Sequence, residues 1–352
     1  MLARMTSHLL PPQRVAIVGA GAIGCRMAAC LERSGHDVTL FDGWAEHVST
    51  IRQQGLELVE RGLSSSHKVR AFHTAEAIEA VDASSFEWVL LASRGDDTPR
   101  FLPLVQALLA PQGVVVSCQN GIHEFAIAQA LGVQRTMGCS MIFGAKLTAP
   151  GQVTAIEGED TMRVGQMVPD GSARTDKLAR LLNKCGSVTT TDNLVGYRWT
   201  KLTLNCMGNP LLLLSGLTGA ELHAQAPVRN FMIAVAGEVQ RAALADGARP
   251  EPVLGHSSHE WTAPDAQHNP ALHEALRHHG ELLGQRRLSM VADFEARGRT
   301  EVRDFNGLVV RKSMEHGLHA PLNAWIQQQV TALEAGERSV LARGLAPLHA
   351  LI

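Results

Sequence analysis

Residues 15–42 read VAIVGAGAIGCRMAACLERSGHDVTLFD, and this stretch decides the fold. An apolar run, Val15 to Val18, enters the pattern Gly19-x-Gly21-x-x-Gly24. A helical pattern follows, and a second apolar run ends in Asp42, 18 residues after Gly24. Strand, glycine turn, helix and acid-tipped strand in that order predict a dinucleotide-binding βαβ unit. Gly19 permits the tight turn, Gly21 lets backbone approach a pyrophosphate, and Gly24 lets helix and strand pack closely. The helix opening at Ala22 and Ile23 presents free N–H groups to the phosphates, and Asp42 is placed to hold ribose hydroxyls.

The rest of the chain sets bounds on that reading. With 352 residues it is long enough for two domains. A formal net charge of −2 without a long basic block points away from nucleic acid and anionic membranes and toward a small-molecule partner. Six cysteines with no C-x-x-C pair and no signal-peptide pattern predict reduced thiols in the cytoplasm. No run approaches the ~20 apolar residues that span a bilayer. Residues 1–13, closing on Pro11-Pro12, are expected to be a loose extension.

Strand-like and helix-like segments alternate after the first unit: Trp88 to Ala92, Thr98 to Leu109, Gly113 to Ser117. This predicts a doubly wound parallel sheet over residues 14–192. Between Ser140 and Val164 the pattern shortens into what antiparallel strands would give, and Lys177 to Cys185 reads as a last helix. From residue 193 to 352 the periodicity is helical: Leu194 to Leu214, Val228 to Asp246, Leu272 to Ala296, Glu301 to His316 and Leu322 to Ala335. The expected fold class is α/β, a Rossmann domain followed by an all-helical domain, with the active site in the crevice between them.

Three groups of residues could carry chemistry. Lys201, Asn205 and Asn209 recur every four positions and share one face of an otherwise apolar helix. Pro210 removes a helix hydrogen bond beside them and is expected to kink the stripe. Gln119-Asn120-Gly121 follows a sheet strand, where a carboxyl-end loop meets the nicotinamide half of a dinucleotide, although the same tripeptide also suits a plain turn. Ser289 sits late in the long helix predicted over 272–296, and Glu301 opens the next one, where the dipole favours a carboxylate with or without a function. Six histidines between His256 and His279 invite a metal reading, but no ligand signature accompanies them and no metal is expected. They are expected instead to line a cleft wall or a subunit contact.

The arrangement resembles the ketopantoate reductases (2-dehydropantoate 2-reductases). The resemblance runs from about Arg14 to Ala335. It rests on the glycine fingerprint, Gln119-Asn120-Gly121, the Lys201/Asn205/Asn209-Pro210-Leu211 helix, Ser289-Met290 with Asp293, and Thr300-Glu301 with Asn306-Gly307. It implies a 6-phosphogluconate-dehydrogenase-like architecture and hydride transfer between a nicotinamide cofactor and a 2-oxo acid/2-hydroxy acid pair, 2-dehydropantoate/pantoate foremost. It further implies that Lys201 is the general acid, that Glu301 hydrogen-bonds the substrate hydroxyl, and that Asn205, Asn209 and Ser289 orient the substrate. Asn120 would stand at the junction of nicotinamide and substrate. Apolar helical faces are compatible with a homodimer as well as with a core.

The chain departs from the family pattern in three places. NADPH-dependent members carry a basic residue just after the second strand, whereas this chain reads Asp42-Gly43-Trp44-Ala45-Glu46-His47, so NAD(H) is expected over NADP(H). Arg94 replaces a cofactor-side lysine, keeping the charge but not the geometry. Arg286 replaces a substrate-side asparagine and would suit an extra anionic or larger substrate group. Two rivals follow: an NAD-dependent dehydrogenase for a bulkier hydroxy acid or secondary alcohol, and a dinucleotide-binding sensor without turnover. The presence of both Lys201 and Glu301 weighs against the sensor.

Overall fold

The computed structural model describes residues 10–80, 84–286 and 288–351; residues 1–9 of the expected extension lie outside them. The chain divides after Leu194 into two compact units. The first contains strands β1 Arg14–Val18, β2 Asp37–Asp42, β3 Leu56–Glu60, β4 Leu63–His67, β5 Arg70–His73, β6 Phe86–Leu91, β7 Leu109–Ser117, β8 Thr136–Ile142, β9 Ala145–Ala149, β10 Gln152–Ala155, β11 Thr161–Gln166 and β12 Ser187–Thr190. Its helices are α1 Ala22–Arg33, α2 Ala45–Gln54, α3 Ala77–Ala80, α4 Thr98–Leu108, α5 Glu124–Leu131 and α6 Arg174–Leu182.

Eight strands form one sheet in the order β12-β11-β8-β7-β6-β1-β2-β5. The run from β8 through β5 is parallel. Its strands are apolar on both faces, as a sheet covered on both sides requires. Alternation then sorts them: Val15, Ile17, Trp88, Leu90, Val114 and Val116 pack in one core, while Ala16, Val18, Val89, Leu91 and Val115 pack in the other. β1 lies between β2 and β6, so the strand order reverses at its carboxyl end, where doubly wound sheets bind ligands.

The segment after Ser140 is only partly the antiparallel finish that the pattern predicts. β11 does run antiparallel to β8, and β10 antiparallel to β9. However, β9 and β10 leave the main sheet and join β3 and β4 in a second sheet, β4-β3-β10-β9, with β10 parallel to β3. Leu56, Leu58 and Val153 are its fully buried residues, and they pack in the same core as Ile17 and Met27.

The second unit is helical: α7 Leu194–Ser215, α8 Gly219–Ala224, α9 Ala226–Ala245, α10 Ser258–Thr262, α11 Pro270–Leu283, α12 Ser289–Arg297, α13 Asn306–Glu315, α14 Pro321–Glu334 and α15 Ala346–His349. α9 is buried nearly all round, from Val228 to Ala243, which marks it as the central helix. Two predicted helices are corrected. The stretch 272–296 is not continuous: Gly284 adopts φ +54 and ends α11, and a new helix starts at Ser289. Glu301 does not open a helix either. Residues 301–305 form a turn in which the Asp304 and Phe305 amides donate to the Glu301 carbonyl, and Phe305 at φ −100, ψ −93 delays α13 to Asn306.

Candidate active site

The glycine turn has the shape its three residues require. Gly19 sits at φ +99, and a Cβ there would lie 2.6 Å from the Ser93 amide. A Cβ on Gly24 would lie 2.0 Å from the Gly19 carbonyl oxygen, so these two glycines are demanded by the protein itself. Gly21 differs, since a Cβ there would meet nothing within 4 Å. Its bareness leaves room at the N-terminus of α1, beside the half-buried Ala22 and Ile23, which is the cradle a pyrophosphate fits.

Asp42 is fixed at the edge of that cradle. Its Oδ2 accepts from the Ala20 amide at 2.7 Å and its Oδ1 from the Trp44 amide at 2.8 Å. The strand end is tied to the same turn, with the Gly19 amide donating to the Phe41 carbonyl at 2.8 Å. Behind the turn lies a buried relay. The Gly151 amide donates to His47 Nδ1 at 2.8 Å, so Nε2 carries the proton and faces Cys25 Sγ at 3.3 Å, and the thiol in turn donates to the Ala20 carbonyl at 3.1 Å. Burial lowers the His47 pKa and raises that of Cys25, so both stay neutral. Sequence reasoning missed His47 and Cys25 because neither belongs to the fingerprint.

The carboxyl ends of β6 and β7 supply the next wall. Gly121 adopts φ +80, the conformation that a glycine in a turn allows, and Asn120 beside it is half-buried. Gln119 is buried, and its Nε2 donates to Thr98 Oγ1 at 2.8 Å and to the Arg94 carbonyl at 3.0 Å. It therefore clasps the loop after β6 to the loop after β7, a role the sequence did not disclose. Arg94 Nε lies 3.3 Å from Asp96 Oδ1, so its side chain is held by a neighbouring carboxylate.

In the second unit, α7 carries the polar stripe. Lys201 and Asn205 are half-buried and Asn209 is buried, while Trp199, Leu202, Cys206 and Met207 fill the apolar remainder. Pro210 does not end the helix, which continues to Ser215. A proline at 210 leaves the Cys206 carbonyl without its usual i+4 donor. Asn306 Nδ2 donates to that carbonyl at 3.2 Å and also to Asn323 Oδ1 at 2.9 Å. Asn323 Nδ2 donates to Glu238 Oε2 at 2.8 Å, and Glu238 also accepts the first-turn amides of Leu322 and Asn323 in α14. The buried chain Asn306-Asn323-Glu238 thus locks α7, α13, α14 and α9 together. Glu301, 7% exposed, precedes Asn306 in the turn. Ser289, at the first position of α12, and Arg286, in the α11–α12 connection, are exposed and outside that network.

Of the six histidines between 256 and 279, His256, His273 and His279 have internal partners, whereas His259, His268 and His278 are exposed. His256 Nδ1 lies 2.8 Å from Glu260 Oε1; His273 Nδ1 accepts from Arg229 at 3.2 Å, and its Nε2 reaches the Gln267 carbonyl at 2.8 Å. His279 packs edge-on to buried His223, ring centroids 5.7 Å apart. Asp246, Glu315 and His316 converge elsewhere, but Lys312 Nζ stands 3.0 Å from both carboxylates and supplies the cation itself. Among the described residues no helix is long and apolar enough to cross a membrane, and all six cysteines are buried and outside any disulfide.

Comparison with known proteins agrees with this geometry. A family model described as "Ketopantoate reductase PanE/ApbA" matches residues 15–169, and its C-terminal counterpart matches residues 193–334. The 2-dehydropantoate 2-reductase of Archaeoglobus fulgidus is 27% identical over 326 residues, covering 92% of this chain and 99% of that protein. Among solved structures, a PanE/ApbA family ketopantoate reductase from Ralstonia eutropha JMP134 aligns with a TM-score of 0.75 at 27% identity, over 92% of this chain and 99% of the other. D-mandelate dehydrogenase, solved with NADH and anilino(oxo)acetate, aligns with a TM-score of 0.78 at 24% identity, over 92% and 98% of the two chains, and so shares the fold.

Proposed function

This chain belongs to the ketopantoate reductase family, and we propose that, as an NAD(P)-dependent oxidoreductase acting on a CH–OH group, it interconverts a 2-oxo acid and its 2-hydroxy acid, with 2-dehydropantoate/pantoate the leading pair. The observation that carries this reading is the α7 stripe, where Lys201, Asn205 and buried Asn209 interrupt an apolar helix of the second unit. When bound, the nicotinamide supplies the hydride chemistry; the protein supplies position and electrostatics.

Lys201 is the general acid: its ammonium faces the oxygen on which negative charge develops and gives it a proton. Glu301 holds the hydroxyl, and Asn205, Asn209 and Ser289 keep the carboxylate and carbonyl in a reactive orientation. Asn120 sits at the nicotinamide side, and Arg94 and the glycine turn hold the dinucleotide. NAD(H) is favoured over NADP(H), because the Asp42 carboxylate, fixed by two amides, suits two ribose hydroxyls and repels a 2′-phosphate. A second reading, an NAD-dependent dehydrogenase for a bulkier hydroxy acid, is favoured by Arg286, an exposed cation where the family has an asparagine.

Initial rates of NADH and NADPH oxidation with 2-dehydropantoate, beside a panel of bulkier 2-oxo acids, test both readings. Rapid NADH-linked turnover of 2-dehydropantoate supports the first. Turnover confined to a bulkier acid supports the second, and a preference for NADPH would overturn the role given to Asp42.

A further inference from the structure

Trp44 occupies a position that neither helix nor core explains. It is the N-cap of α2, where Ser, Thr, Asp or Asn would satisfy a first-turn amide, and its side chain makes no cap hydrogen bond. It is 42% exposed, so it contributes little to the interior. Yet the indole is held: it lies parallel to the His47 imidazole at 8° with centroids 5.0 Å apart, and its amide is fixed by Asp42 Oδ1. His47 is itself fully buried and immobilised by Gly151 and Cys25.

We propose that Trp44 is a preformed stacking platform for the adenine ring of the dinucleotide, with His47 as its backing. The proposal rests on the reading of Asp42 as the adenosine-ribose ligand. The base leaves the same ribose whose hydroxyls Asp42 would hold, and Trp44 is the exposed aromatic surface two residues along the chain. An indole there adds affinity through the base's π-face, where a basic side chain would instead recruit a 2′-phosphate. Adenine is common to NAD(H) and NADP(H), so Trp44 supplies affinity for the base while the choice between the two rests on Asp42.

The test is binding of NADH, ADP-ribose and reduced nicotinamide mononucleotide to the wild-type chain, Trp44→Ala and Trp44→Phe, by calorimetry and by quenching of tryptophan emission. Stacking of a base on an aromatic ring predicts that Trp44→Ala weakens NADH and ADP-ribose alike by about tenfold or more. Reduced nicotinamide mononucleotide should be unaffected, and Trp44→Phe should stay within about twofold of wild type. Steady-state kinetics should show the loss in KM for NADH rather than in kcat. Wild-type affinity of Trp44→Ala for ADP-ribose, or equal weakening for the mononucleotide, would overturn the platform alone. Failure of the wild-type chain to bind ADP-ribose or NADH would instead overturn the dinucleotide site on which it rests.

Discussion

Asn306 donates its side-chain amide to the Cys206 carbonyl, the one that Pro210 leaves without a donor in the middle of α7. A proline in a helix ordinarily leaves a buried acceptor unmet and favours a kink at that point. Here the missing N–H is supplied from another helix, 100 residues further along the chain. The stripe that carries Lys201, Asn205 and Asn209 is thereby braced from behind at its last turn.

A double-mutant cycle should expose the relationship. Asn306→Ala should destabilise the protein by about 2 kcal/mol, the cost of stranding a buried acceptor, with Asn323 also losing a partner. Pro210→Ala returns an N–H to the helix, so Asn306→Ala should cost about 1 kcal/mol less in that background. Denaturant unfolding of the four proteins measures the difference; strict additivity would refute the bracing.

The two helix-turn glycines should fail differently. Gly24→Ala would drive a Cβ to 2.0 Å from the Gly19 carbonyl oxygen, a backbone clash that should cost several kcal/mol and lower the melting temperature sharply. Gly21→Ala meets open space, so it should melt near the wild-type temperature while binding NADH at least tenfold more weakly. Equal melting losses in both variants would contradict the division of labour.

That contrast also measures what the sequence could tell. The strand-turn-helix around Gly19 is legible because each glycine answers a local steric demand, and the buried alternation of Val15 to Val18 fixes the sheet. The second sheet was not legible, since β3 and β10 are almost 100 residues apart and pair only through Glu57 to Val59 against Gln152 to Thr154. The helix breaks at Gly284 and Phe305 were missed for another reason: apolar spacing continues across both, and the backbone dihedrals alone interrupt the helix. The Asn306 brace left half a signal. Pro210 announces an orphaned carbonyl at Cys206, but nothing local names its donor.

The His223–His279 pair makes the helical unit acid-sensitive. Burial, helped by the neighbouring charges of His223 and His278, pushes His279 down to about 4, and burial lowers His223 as well. The unfolded chain therefore binds more protons than the folded one as pH falls below about 6.5, and folding stability falls with it down to about pH 4. His223 donates to the Gly219 carbonyl, and Arg229 adds positive charge that opposes protonation. Melting temperature should drop between pH 7 and pH 5, and His279→Gln should reduce that drop. An identical drop in the variant would remove His279 from the account.

The measurement that bears most directly on the proposed chemistry is the rate of Lys201→Ala with NADH and whichever 2-oxo acid the wild-type protein turns over, alongside its affinity for NADH. If Lys201 delivers the proton, kcat/KM should fall by about 10²–10⁴. The dissociation constant for NADH should stay within about twofold, and added ethylamine should restore part of the rate. Turnover near the wild-type rate, with NADH still bound, would contradict the assignment of the acid to α7.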